Sequence, residues 1–154
     1  MEIDVQYAIQ DDSVPAQEDF RRWANAALEG RQDDPELTIR VVDQAESTSL
    51  NEKYRGKQGA TNVLSFPSEA PLEIAGNLLG DLVICAPVVE EEAVAQEKNL
   101  DSHWAHMVIH GVLHLIGYDH SSAEAADAME SLEVEILANL DYPNPYDPNS
   151  GDPG

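Results

Sequence analysis

Four of the five histidines of this sequence fall within one short segment: His103, His106, His110 and His114. At about 100° per residue, a helix would point all four rings to one face. His110 and His114 are one turn apart, the spacing at which two imidazoles chelate one metal ion from a helix. The segment is therefore a candidate metal-binding helix.

The residues that follow extend this pattern. Gly117 can adopt the left-handed backbone that ends a helix and reverses the chain, so His120 can return toward the same ion. Three neutral imidazoles with an open fourth position are typical of catalytic zinc. We therefore predict one Zn²⁺ per chain, held by His110, His114 and His120.

Two alternatives stay open on the residues alone. The histidines could be partly exposed helix residues without a ligand, or they could hold a purely structural zinc. Structural zinc sites usually have four protein ligands, mostly cysteines. The chain has one cysteine, Cys85, inside an apolar run, where we expect it to be buried.

The neighbours of these histidines suggest further roles. Zinc proteases with similar spacing carry glutamate as general base directly after the first histidine. Gly111 stands here instead, which disfavours a protease, and its missing β-carbon is expected to let substrate or backbone approach the metal closely. Asp119 is a candidate hydrogen-bond acceptor behind the ligands or a general base, unless it is a solvated turn residue. His106 is either a hydrogen-bonding partner of a ligand or a packed core residue, and His103 is expected at the surface.

Positive charge is scarce, and much of it is concentrated in one place. The chain has 8 Lys and Arg against 30 Asp and Glu, a formal net charge of −22, and Lys53, Arg55 and Lys57 contribute three of those cations. Arginine presents a fork of donors that matches phosphate oxygens. The cluster is thus a candidate phosphate or RNA site, unless it is a solvated helix end offsetting the helix dipole.

The charge also excludes some partners. A chain this acidic should not coat DNA or RNA non-specifically, because phosphate binding requires Lys and Arg, and it should also avoid anionic membranes. The N-terminal residues lack the basic and apolar stretches of a signal peptide, and no run approaches the length of a membrane helix. We expect a cytoplasmic protein.

The elements that must position these residues follow from hydrophobic periodicity. Strands are predicted at about 3–7, 36–43, 62–66 and 78–85. Helices are predicted from about 15 to 29 and at about 50–54, 88–97, 101–116 and 122–140. This order predicts an α+β fold with a small mixed sheet of about four strands and about five helices. Residues 1–140 form the single domain, with a loop over 68–76, and the Pro/Asn/Asp-rich tail of residues 141–154 is expected to be disordered.

The histidine pattern belongs to a longer resemblance. The stretch His110-Gly-Val-Leu-His114-Leu-Ile-Gly-Tyr-Asp-His120 resembles the signature of the YbeY family of bacterial endoribonucleases, which are rRNA maturation factors. Residues 50–55 (LNEKYR), 61–67 (TNVLSFP) and 80–85 (GDLVIC) are similar to three further blocks of that family. One departure is Asn62, at a position where the family block often has aspartate.

The resemblance implies a single-strand-specific, metal-dependent endoribonuclease. It implies action on the 3′ end of 16S rRNA and in late-stage 70S ribosome quality control, with the small ribosomal subunit and its proteins as partners. It also implies that zinc is held by His110, His114 and His120, and that Arg55 acts near the metal.

Two rival functions remain. The negative charge favours a zinc hydrolase of a peptide or small molecule. The second rival is a non-catalytic ribosome-assembly factor with a structural metal.

Overall fold

The structure is a computed structural model that describes residues 2–68 and 77–146. Within these ranges it contains four strands and five helices. In chain order they are β1 (Glu2–Tyr7), α1 (Gln17–Leu28), β2 (Glu36–Val42), α2 (Gln44–Arg55), β3 (Val63–Pro67), β4 (Leu78–Cys85), α3 (Ala86–Ala95), α4 (Leu100–Leu115) and α5 (Ala123–Asn139).

The four strands form one mixed sheet in the order β1-β2-β4-β3. Strand β1 runs parallel to β2 with Val5 opposite Ile39, and β2 runs parallel to β4 with Ile39 opposite Leu82. Strand β3 is antiparallel to β4, with Ser65 opposite Leu82. The predicted fold class, an α+β domain with a small mixed sheet and five helices, is confirmed.

The main core lies between one face of the sheet and the helices that cover it. Because side chains alternate along a strand, Leu82 and Ile84 of β4 point into this core, and Val83 and Cys85 join a smaller cluster on the other face. Helix α4 is central to the main core and packs against α1, α3, α5, β3 and β4. The predicted burial of Cys85 is confirmed.

Helix α1 buries one face, which consists of Phe20, Trp23, Ala24, Ala27 and Leu28. The ring of Phe20 packs edge-on against those of Trp23 and Trp104, with centroids 5.8 and 5.5 Å apart. These contacts bind α1 to α4, so the histidine-bearing helix is anchored in the core.

Helix α2 is longer than the predicted segment at residues 50–54. It begins directly after β2, where the side chain of Asp43 accepts a hydrogen bond from the Glu46 amide, a typical N-cap. Its buried residues are Ser47 and Asn51, which donate to the carbonyls of Thr61 and Gly59. A helix that buries polar residues shows no apolar stripe, which is why periodicity missed its first half.

The division at residue 140 stays a prediction, but residues 141–146 lie against the domain. The Tyr142 amide donates to the carbonyl of Leu137, and its hydroxyl accepts a hydrogen bond of 3.3 Å from Trp23 Nε1. Residues 147–154 of the predicted tail, and 69–76 of the predicted loop, lie outside the described residues. No helix in the described part of the chain is both long and apolar enough to cross a bilayer.

Candidate active site

The candidate site lies at the C-terminal end of α4. Gly117 has φ of +106° and follows the helix end, and the Tyr118 amide donates to the Leu113 carbonyl at 3.0 Å. This reversal brings His120 back beside the last turn. The ligand atoms of His110, His114 and His120 all lie within 4.8 Å of one another. The structure therefore brings together the three rings that the spacing singled out.

A buried carboxylate lies behind these histidines. Glu133 of α5 is fully buried, and His110 Nδ1 is 2.9 Å from its Oε2. The other oxygen, Oε1, is 2.6 Å from His106 Nε2 and also accepts a hydrogen bond from the hydroxyl of Tyr146. A buried ionised carboxylate is costly unless it is well hydrogen-bonded, and both oxygens of Glu133 have partners.

These contacts determine the protonation of the network. Burial alone would raise the pKa of Glu133, but hydrogen bonds from His106, His110 and Tyr146 outweigh it and lower the pKa to about 2. An ionised carboxylate can only accept hydrogen bonds, so both facing ring nitrogens carry hydrogen. In a neutral His110 ring, this contact leaves the lone pair on Nε2, the nitrogen that a cation would bind.

Burial favours the neutral form of two of these histidines, His114 and His106. Burial lowers the pKa of His114, and the nearby rings of His110 and His120 lower it further. Burial also lowers the pKa of His106, against the opposing effect of Glu133. Imidazole must be neutral to bind a metal, so the lowered pKa of His114 suits that ring as a metal ligand.

Glu133, His106 and His110 form a second group whose ligand atoms lie close together. Ligands that share a tetrahedral zinc at about 2.0 Å are about 3.3 Å apart. The contacts of Glu133 to these rings are 2.6 and 2.9 Å, which are hydrogen-bond lengths. This buried group therefore supports the histidine trio rather than forming a separate metal centre.

A cleft of about 340 Å³ connects the histidines to the candidate phosphate site. It is lined by Tyr54, Arg55, Ser65, Phe66, Pro67 and His114. Arg55 is the last residue of α2, and its guanidinium contacts the Ser65 carbonyl at 3.5 Å. Gly56 follows with φ of +66°, which ends the helix beside the cleft. An arginine and a histidine of the trio thus face one space.

Lys53 and Lys57, the other two cations of the cluster, are not among the residues that line this cleft. The Nζ atom of Lys53 is 5.2 Å from the centre of the exposed Tyr54 ring, which is a cation–π distance. Lys57 is exposed and follows the turn at Gly56. Of the three cations, Arg55 is the one that lines the cleft of His114.

Comparison with known proteins identifies the family. Residues 5–141 match the family described as Endoribonuclease YbeY. This chain belongs to the YbeY endoribonuclease family. Among solved structures, it is similar to the solution structure of TM1509 from Thermotoga maritima, with 23% identity, a TM-score of 0.59 and coverage of 97% of this chain and 98% of that one. That likeness concerns the fold.

Two expectations about the other histidines of this YbeY-family chain can be compared with the structure. His106 is buried against Glu133, which also contacts His110, so it is both packed and indirectly linked to the trio. The prediction that His103 lies at the surface is wrong, because it is buried and its Nε2 is 2.9 Å from Glu92. The periodicity placed His103 on the correct face, but α3 covers that face.

The space that the missing β-carbon of Gly111 leaves is filled by side chains of β3 and β4 rather than by substrate. A Cβ at this position would lie 2.2 Å from Leu82 Cδ1 and 3.0 Å from Val63 Cγ2. The carbonyl of Gly111 also accepts a hydrogen bond from Ser65 Oγ at 3.0 Å. The glycine lets α4 approach β3 and β4 closely.

Asp119 has a fully exposed carboxylate whose Oδ1 accepts hydrogen bonds from the Ser121 amide at 3.1 Å and hydroxyl at 2.8 Å. These two hydrogen bonds lower the pKa of Asp119. Such contacts are typical of an aspartate that closes a turn. A role for Asp119 in catalysis stays a prediction.

Sequence reasoning did not single out Glu133, although one signal was present. The residue lies on the same helical stripe as Met129, Ile136 and Leu137, all buried in α5. A carboxylate within an apolar stripe requires a buried partner. That signal indicates a buried contact, but the partner is determined by how α5 packs on α4.

Proposed function

We propose that this chain is a zinc-dependent endoribonuclease that cleaves single-stranded rRNA. Its proposed task is maturation of the 3′ end of 16S rRNA and late-stage 70S ribosome quality control in the cytoplasm. The observation that carries the proposal is the shared cleft: His114 of the histidine trio and Arg55 line the same space. A metal ligand and a phosphate-binding fork in one cleft can together activate a nucleophile and stabilise charge on a phosphodiester.

His110, His114 and His120 would hold the zinc. The donor set fits, because three imidazoles are a common catalytic zinc set and leave a coordination position open. The Glu133 contact to His110 Nδ1 supplies the outer hydrogen bond that metal-bound histidines usually have. When bound, zinc supplies Lewis acidity, which activates water near neutral pH and stabilises charge on phosphoryl oxygens.

The chain's own residues would place the RNA. Arg55 would bind the scissile phosphate through two parallel N–H donors and stabilise the charge that builds on its oxygens. Tyr54 is 57% exposed at the rim of the cleft, where an unpaired base can stack on its ring. The ring of Tyr54 is braced edge-on by Phe66 at 5.5 Å. Stacking on a flexible strand gives a preference for single-stranded substrate.

The charge distribution supports the small ribosomal subunit as partner. The net charge of −22 opposes extended binding to RNA alone. Basic ribosomal proteins would instead attract the acidic surface, including exposed carboxylates of Glu124, Asp127 and Glu135 on α5. Such contacts would bring the cleft to its rRNA segment.

One experiment separates this proposal from its rivals. Wild-type protein and His114→Ala are assayed with single-stranded RNA, with a peptide library and with small ribosomal subunits. We expect RNA cleavage that depends on added zinc and is abolished in His114→Ala. Peptide hydrolysis without RNA cleavage would favour another zinc hydrolase. Subunit binding without hydrolysis of either substrate would favour an assembly factor with a structural metal.

A further inference from the structure

The hydrogen bond between Tyr146 and Glu133 links the C-terminal segment to the candidate metal centre. Tyr146 lies beyond the end of α5, and its amide donates to Asn144 Oδ1 at 2.8 Å within a local turn. Its ring packs edge-on against His106 with centroids 5.3 Å apart. Its hydroxyl reaches inward to the fully buried Glu133. A residue of the chain's last described segment therefore contacts the group that holds His110.

Tyr146 also lies on the solvent side of the carboxylate. It is 43% exposed, whereas His106 is 6% exposed and Glu133 is fully buried. Removing its hydroxyl would leave Oε1 of Glu133 with the single donor His106, at the side where water can enter. A carboxylate that is hydrated or free to rotate restrains His110 less well, because the Oε2 contact depends on the orientation of the whole group.

We propose that Tyr146 is a positioning residue of the metal centre: its hydroxyl holds Glu133 in the orientation that aims His110 at the ion. This inference rests on the zinc site of the proposed function. It assigns residues 141–146 to the functional domain, because the segment supplies a partner that α4 and α5 lack. Binding is reciprocal, so zinc in turn strengthens the docking of this segment.

The test compares two tyrosines of the same segment. Tyr146→Phe removes the hydroxyl that contacts Glu133, and Tyr142→Phe removes the hydroxyl that contacts Trp23, away from the histidines. Zinc affinity of the full chain is measured by competition with a chromophoric chelator. We expect an affinity about tenfold lower in Tyr146→Phe, the lower end of the effect of losing an outer partner of a ligand. We expect wild-type affinity in Tyr142→Phe.

A spectroscopic measurement distinguishes positioning from general destabilisation. Imidazole ¹⁵N spectra of the zinc-loaded proteins report the hydrogen on His110 Nδ1. This signal is expected to shift in Tyr146→Phe and to match the wild type in Tyr142→Phe. Equal zinc affinity in Tyr146→Phe and wild type, or equal losses in both variants, would overturn the proposal while leaving the zinc site intact. A wild-type chain that binds no zinc would overturn the zinc site itself.

Discussion

At the scale of single residues, the candidate site depends on three exposed or half-buried rings and on one buried carboxylate. His110, His114 and His120 meet at the end of α4, and Glu133 orients the first of them. Arg55 faces the same cleft as His114. The neighbouring Asp119 has its hydrogen bonds within its own turn. These differences in surroundings predict different effects of substitution.

His120→Ala is expected to lower zinc affinity by more than about 100-fold, beyond the 10- to 100-fold effect of losing an outer partner. Because His120 is exposed, the melting temperature of the metal-free protein should not change. Asp119→Asn is the matched control, because it removes the charge of the residue before His120 but keeps the oxygen that Ser121 contacts. Chelator competition and thermal melting measure both effects. Undiminished zinc binding in His120→Ala would contradict its role as a ligand.

Arg55→Lys is expected to slow RNA cleavage by about 10- to 100-fold, somewhat less than the loss of a complete transition-state donor. Lysine keeps the charge but loses the two-pronged geometry. Zinc content and melting temperature should remain those of the wild type. Arg22→Lys serves as control, because Arg22 is a surface residue of α1 paired with Asp19. Wild-type cleavage by Arg55→Lys would show that the fork is not required.

At the scale of elements, the position of α4 is set by its contacts with the sheet and with α3. Gly111 allows the close approach to β3 and β4, and Glu92 of α3 ties the start of α4 to the start of β3. Glu92 accepts from His103 at 2.9 Å and from Asn62 Nδ2 at 3.1 Å. The amide of Asn62 can donate to this carboxylate, whereas an aspartate there would place two negative charges together.

Gly111→Ala should destabilise the protein by about 1–3 kcal/mol, the usual cost of overpacking a core. The added Cβ meets Leu82, which is fully buried and cannot move aside freely. Chemical denaturation gives the loss in unfolding free energy. In a double-mutant cycle with Leu82→Ala, the losses should be less than additive, because the smaller side chain accommodates the methyl group. If the two losses in unfolding free energy were fully additive, the contact with Leu82 would not be the cause of the destabilisation by Gly111→Ala.

Glu92→Gln should lower stability at pH 7 by about 1–2 kcal/mol, as expected for charge-assisted hydrogen bonds. Burial alone would raise the pKa of Glu92, but the His103 and Asn62 hydrogen bonds lower it below its ordinary value of 4.5. The stabilisation is therefore complete above pH 4.5 and is lost as the pH falls through the lower folded-state pKa.

Urea unfolding is measured at pH values from 7 down into acid. The free energies of unfolding of wild type and Glu92→Gln should converge as the pH falls. Glu91→Gln makes the same charge change at an exposed neighbour and should alter stability by less than about 0.5 kcal/mol. Parallel stability curves down to acid pH would contradict the role of Glu92.

At the scale of the whole molecule, strong acidity coexists with one cationic cluster. Lys53, Arg55 and Lys57 lie around the end of α2, and the last 56 residues carry no Lys or Arg. The rest of the surface repels polyanions, so long-range attraction should favour basic proteins over RNA. Recognition of rRNA would then depend on the assembled subunit as well as on the cleft.

Binding to naked single-stranded RNA should be weak and only mildly salt-dependent. Three cations predict a slope of log K against log salt near −2, from about −0.7 per phosphate neutralised on a single strand. Binding to small ribosomal subunits should be tighter at every salt concentration. Filter binding to the RNA and sedimentation with subunits provide the comparison. Tight binding to naked RNA with a slope beyond about −4 would reveal a phosphate-binding surface that the charge distribution does not predict.

The sequence by itself determined the local features of this protein. The strand and helix order, the buried face of α1, and the meeting of His110, His114 and His120 were all predictable. Each depends on the periodicity of a strand or helix, or on one turn at Gly117, within a few residues. The family resemblance rests on the same short blocks.

The tertiary structure decided which buried groups meet. Glu133 is 27 residues from His106 and 23 from His110, and their contacts arise only when α5 packs on α4. His103 is buried because α3 covers it, and Gly111 faces the sheet rather than the candidate metal. The first half of α2 escaped prediction because it buries polar residues. Periodicity defines the face on which a side chain lies, but only packing between elements determines the group that it meets there.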